Sequence, residues 1–312
     1  LKKSFNYFSI FSIGAIAIGS SLTTDVHATD VGNGATDDDA TATAYNFDTA
    51  AKKLTIRTSS TVLSVAVGAI TDAAVITSAI DVLSLSTDSG ASTFTIASVI
   101  LDGSQAGTNE GAIAINDVDD AVGDMTVTVA GAFNVNNNVT ITSLEDASTG
   151  ETLTVNFDGA VEIDDATILD ANNSGILGSV NVTVGAAAIF TGGVDMGGGT
   201  DAGDGTATLT FDGTAAQAVA GAIDGLGVDN TGNLAITNTA GAVTFGGAIG
   251  SNNDLKTITV GTSTDESAAV FSGVVNAQTI TVQAGDATTG ENSTANFDAA
   301  VTGALVRAPS GG

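Results

Sequence analysis

A segment near the middle of the chain recurs almost verbatim near its end. Asp146 to Val161 reads DASTGETLTVNFDGAV and Asp286 to Val301 reads DATTGENSTANFDAAV, matching at 11 of 16 positions at an offset of 140 residues. A shorter period lies inside the longer one. The tetrapeptides LAIT, KTIT and QTIT place Ile236, Ile258 and Ile280 at steps of 22 residues. Phe245-Gly-Gly-Ala-Ile249 and Phe271-Ser-Gly-Val-Val275 recur between them, with related pieces beginning at Phe157, Phe190, Phe211 and Phe297. A unit of about 20 to 30 residues cannot bury its own apolar face, but stacked on a neighbour it can.

Each unit is written in strand chemistry. Thr126 to Val129, Thr152 to Val155, Asn181 to Val184, Thr257 to Val260 and Thr279 to Val282 alternate polar and β-branched apolar residues, the period-two pattern of a pleat with one buried face. Gly, Asn and Asp punctuate the strands, as tight turns require. Pro309 is the only proline, so almost every residue retains a backbone donor for a ladder. Hydrophobic residues make up 43% of the chain but aromatics only 4%, which suits a thin core of many short strands.

The expected fold is therefore all-β, a parallel β-solenoid. About a dozen coils at roughly 4.8 Å each would make a rod on the order of 60 Å long. The recurrent Phe should stack inside, and the Gly that follows should permit the corner. Tandem antiparallel β-sandwiches are the competing architecture, since they also give short strands and polar turns.

Three regions are expected: a signal peptide over 1–28, an acidic N-terminal segment or cap over 29–60, and the β-strand repeat over 61–312. Lys2 and Lys3 precede an apolar run from Phe5 to about Leu22, and Val26-His27-Ala28 offers a small-residue cleavage site. Ser9, Ser12, Ser20 and Ser21 interrupt that run, and no basic stop-transfer cluster follows it. Export to the cell surface or beyond, without membrane insertion of the mature chain, is the expectation.

With Lys+Arg 7 against Asp+Glu 35 the net charge is -28, which repels nucleic acid and anionic lipid. No positive side chain lies between Thr58 and Leu255, Cys and Trp are absent, and the only His is His27. A lyase or glycosidase built on acids such as Asp164 and Asp165 would want cations and aromatic platforms beside them. Tyr7 and Tyr45 are the only tyrosines, so a non-catalytic role is expected.

Carboxylates remain as candidate ligands. Asp117, Asp119, Asp120 and Asp124 cluster beside Asn116, and Asp195, Asp201 and Asp204 lie in the Gly-rich stretch VDMGGGTDAGDG. Hard oxygen ligands on turns suit calcium, although neither cluster has EF-hand spacing. Thr-x-Thr pairs at Thr126/Thr128, Thr140/Thr142, Thr257/Thr259 and Thr279/Thr281 raise an ice-binding face as a remote alternative. Their uneven spacing argues against a regular array.

VTFGGAIGSNNDLKTITVG (Val243 to Gly261) and FSGVVNAQTITV (Phe271 to Val282) resemble the repeats of bacterial surface β-strand-repeat proteins, among them filamentous-haemagglutinin-like exoproteins and autotransporter passengers. The resemblance implies a secreted solenoid used in adhesion or in a surface coat, with other copies of itself or surface glycans as partners. The sequence departs from those families in lacking a secretion-cap motif after Ala28 and aromatic-ended barrel strands near Gly312, which a truncated chain would explain. A calcium-dependent surface-layer subunit is the runner-up.

Overall fold

The computed structural model describes residues 44–48, 53–57, 64–71, 82–86, 92–101, 112–119, 124–145, 152–171, 178–197, 205–285 and 292–308. These residues form strands and turns, with no helix among them.

Strands β1 (Ala44–Asp48) and β2 (Lys53–Arg57) pair antiparallel. Every other strand pairing among the described residues is parallel. β3 (Ser64–Thr71), β4 (Val82–Ser86), β5 (Ser92–Leu101) and β6 (Ala112–Asp119) make the first coils. Three-strand coils follow: β7 (Met125–Val129), β8 (Phe133–Val135) and β9 (Val139–Glu145), then β10 (Thr152–Phe157), β11 (Val161–Ile163) and β12 (Thr167–Asp170). β13 (Ser179–Val184), β14 (Ala188–Phe190) and β15 (Val194–Gly197) lead to β16 (Thr206–Phe211), β17 (Gln217–Val219) and β18 (Ile223–Gly225). The last coils comprise β19 (Thr231–Ile236), β20 (Ala242–Phe245), β21 (Leu255–Val260), β22 (Ala268–Phe271), β23 (Val275–Val282), β24 (Thr294–Phe297) and β25 (Val301–Arg307).

The strands stack on three sides. The first side runs through β5, β7, β10, β13, β16, β19, β21, β23 and β25, the second through β8, β11 and β14 and then β17, β20, β22 and β24, and the third from β2 through β4, β6, β9, β12 and β15 to β18. This is a parallel β-solenoid, and the sandwich alternative falls because sandwiches need antiparallel neighbours.

One rung explains why the coils stack. Phe94, Val127, Val155, Val182, Leu209, Leu234, Ile258 and Ile280 lie in register along the first side, and all are buried. From Val127 the coil steps are 28, 27, 27, 25, 24 and 22 residues. The central first-side positions stay paired while the connecting residues shorten and the third-side strand ends at β18, so the inward positions stay aligned although the period drifts. Leu305 occupies the next place on that rung but is 61% exposed, because no described coil lies over it.

Two sequence alignments are corrected by the register. Ile236 pairs with Val260, and it is Leu234 that pairs with Ile258. A slip of two residues keeps the same face inward, so alternation alone cannot tell these alignments apart. The similar 16-residue segments also occupy different places in the coil. Phe157 closes a first-side strand opposite Val184, whereas Phe297 closes a second-side strand opposite Phe271. Both corners want a large inward residue followed by a tight turn, so one sequence serves either.

Inside, Phe245, Phe271 and Phe297 stack with ring centroids 5.0 Å apart and planes within 9°. Phe211 meets Phe245 edge-on at 5.6 Å. Gly247 and Gly273 follow two of these rings at the corner between the second and third sides. A Cβ on Gly247 would strike the carbonyl of Gly221, and one on Gly273 that of Gly247. Close approach of successive corners, rather than an unusual dihedral, selects glycine there.

Candidate functional site

Alternation turns every second residue of the first side outward, and the register sorts these residues into two rows. Thr93, Thr126, Thr154, Asn181, Thr208, Asn233, Thr257 and Thr279 form one. Thr95, Thr128, Asn156, Thr183, Thr210, Ala235, Thr259 and Thr281 form the other. Uneven Thr-x-Thr spacing argues against a regular array in the sequence, yet the register brings three of the four pairs, Thr126/Thr128, Thr257/Thr259 and Thr279/Thr281, into the same two rows. The unevenness is absorbed in the corners, and the pairs fall into rank.

No residue in either row is ionisable, in a chain with 35 acidic residues. Every one is exposed or part-exposed. The acids of this side sit at its margins: Asp124 precedes β7 and accepts a bond from the Thr152 amide at 2.9 Å, and Asp158 and Asp212 lie exposed beyond the ends of β10 and β16. Within the rows the Thr257 hydroxyl donates to Asn233 Oδ1 at 2.7 Å. Thr140/Thr142 does not belong to this array, since both residues lie on β9 of the third side.

The calcium candidates divide among different places. Asp117 and Asp119 lie on β6, opposite Ser143 and Glu145 of β9, and Asp124 stands at the margin of the first side. Asp195 lies on β15, while Asp120, Asp201 and Asp204 fall outside the described residues. The third side sets Asp195 directly opposite Asp224 of β18, a residue that composition and spacing did not single out. Its position in an IDG strand gave no signal, because the pairing depends on register.

Asp224 is 4% exposed and fully engaged. Its carboxylate accepts from the Ser251 hydroxyl at 3.2 Å, the Asn252 amide at 3.0 Å and Asn252 Nδ2 at 3.1 Å. Asn253 Nδ2 donates to the Gly225 carbonyl at 3.0 Å, completing the attachment of this loop to the third side. Burial, and then the neighbouring charge of Asp224, push the Asp195 carboxyl above its ordinary range. Asp224 is a loop clamp, and its charge is an electrostatic cost to Asp195. Among the described residues no group of three or more His, Cys, Asp or Glu side chains gathers as a metal cage.

A second polar cluster is internal. Gln217 and Asn238, 2% and 1% exposed, sit between the first and second sides. Gln217 Nε2 donates to the carbonyls of Val184 at 2.9 Å and Ala186 at 2.7 Å, and Asn238 Nδ2 donates to Gln217 Oε1 at 2.8 Å and to the Ala215 carbonyl at 2.8 Å. This network ties the longer corner after β16 to the coils on either side of it.

The fold and this face define a class, the parallel β-solenoid with two rows of uncharged residues, mostly hydroxyl- and amide-bearing, along one side. No protein-family model matches the chain, and neither does any curated protein or solved structure.

Proposed function

We propose that the protein is an exported, non-catalytic β-solenoid that serves as a structural or adhesive element at the cell surface and engages partners through its repeated face. The observation that carries this reading is the unbroken parallel ladder of the first side from β5 to β25, which repeats one outward surface coil after coil as far as β23. Such a surface favours extended or repetitive partners, because each coil offers the same weak contact and the contacts add along the axis. The leader-like residues 1–28 and the net charge of -28 support export and solubility in bulk solvent.

Antibodies against the purified chain test this on intact source cells. Labelling of unpermeabilised cells, removed by external protease, is the expected result. Signal that appears only after lysis contradicts the proposal.

A further inference from the structure

The two Thr/Asn rows have properties that a merely solvated strand face does not need. Seven coil steps separate Thr93 from Thr279, so the rows extend about 34 Å along the axis at about 4.8 Å per step. Along each strand the two rows stand about 6.7 Å apart, twice the rise per residue. The result is a two-dimensional grid of hydroxyls, methyls and amides with no charge inside it.

We propose that this grid binds the surface of ice, taking an ordered water lattice as its ligand. Ice binding goes beyond the cell-surface role and does not depend on it. Three features of the grid carry it. The rows repeat in register, one residue per coil along the axis and every second residue along the strand, so successive side chains can meet equivalent positions of a two-dimensional water lattice. Threonine is stiff at χ1, so its hydroxyl and methyl are already placed and little side-chain freedom is lost on docking. Each hydroxyl donates once and accepts twice, and so can take the place of a lattice water.

Charge placement points the same way. An ionised side chain orders water around itself and disrupts a lattice, and the described charges of this side stand at the margins of the grid, Asp158 and Asp212 beyond the strand ends and Lys256 beside Thr257 at the start of β21. Asn181 and Asn233 retain donors and acceptors in the first row, as Asn156 does in the second. Ala235 removes one hydroxyl and leaves its methyl. Aromatic platforms, on which a sugar chain would stack, are absent from both rows.

The test uses the full chain, freezing-point measurement and partition into a slowly grown ice hemisphere. Thr210→Tyr places a bulky ring in the grid, Thr210→Lys places a charge there, and Thr244→Tyr puts the same ring on the exposed second side as a control. Circular dichroism establishes that each variant keeps its strand signal. The expected result is enrichment of the wild-type chain in ice and a gap between melting and freezing points. Both Thr210 variants should reduce that gap several-fold, and Thr244→Tyr should preserve it. Exclusion of the folded wild-type chain from ice overturns the proposal, as does equal activity in all the variants. Dimers that dissociate in Thr210→Tyr, without ice retention, overturn it too and assign the face to a second copy.

Discussion

At Asp195 a carboxylate is held where its charge is unwelcome. Burial and Asp224 raise its pKa above the ordinary 3.8, so the folded chain binds a proton at Asp195 more tightly than the unfolded chain does. The sign follows: the destabilisation is complete above the folded-state pKa and disappears as pH falls through that value toward 3.8. Asp195→Asn should therefore raise the melting temperature at pH about 7, with the gain shrinking on acidification. A gain of equal size at all pH values would refute the electrostatic explanation. Asp224→Ala should act in the opposite sense overall, because it frees the Ser251 and Asn252 donors and releases the loop. Denaturant melts should show a loss on the order of 1–3 kcal/mol. Asp195 was visible in the sequence as a carboxylate in a Gly-rich stretch. Its neighbour was not, because nothing local to IDG reveals which coil lies beside it.

Elements of this fold obey a local grammar, and most of that grammar was legible. Alternation in TLTVNF and SVNVTV fixes which residues face inward, and the burial of Leu153, Val155, Phe157, Val180, Val182 and Val184 follows it. The corner rule was legible too, since Phe271 stacks inside and Gly273 turns over Gly247 as the FxG pattern demands. Register was not legible to within two residues, because Ile236 and Leu234 both satisfy alternation. It is decided by corner length and by contacts such as the Gln217–Asn238 bond. Phe271→Ala should cost about 3–5 kcal/mol by leaving a cavity between Phe245 and Phe297. Gln217→Leu should cost about 1–3 kcal/mol in urea melts, because it takes the side-chain donor from the buried Ala186 and Val184 carbonyls and the acceptor from Asn238 Nδ2. A neutral outcome for Gln217→Leu would mean that the polar cluster is dispensable to the corner.

For the whole molecule, stacking is the source of both stability and surface. Each coil buries its apolar side on the next, and the same register that aligns Val155 with Val182 aligns Thr154 with Asn181 outside. The repeated face is therefore a consequence of the core. The sequence announced the stacking through its repeats but concealed the face, because drifting coil lengths made the Thr-x-Thr pairs look irregular. Chain-wide charge repulsion should also be salt-sensitive. Raising ionic strength should raise the melting temperature of a chain with net charge -28, and a scan from low to high salt checks this.

The chain has no cysteine, so spin labels can be placed in pairs without background. Thr126→Cys paired in turn with Thr208→Cys, Thr257→Cys and Thr279→Cys samples partners three, five and six coils away on one row. Pulsed electron paramagnetic resonance should give separations rising by about 4.8 Å per coil, from about 14 Å to about 29 Å between backbone positions. Distances that fail to follow the coil count, or that place Thr126 beside Thr279, would contradict the in-register solenoid.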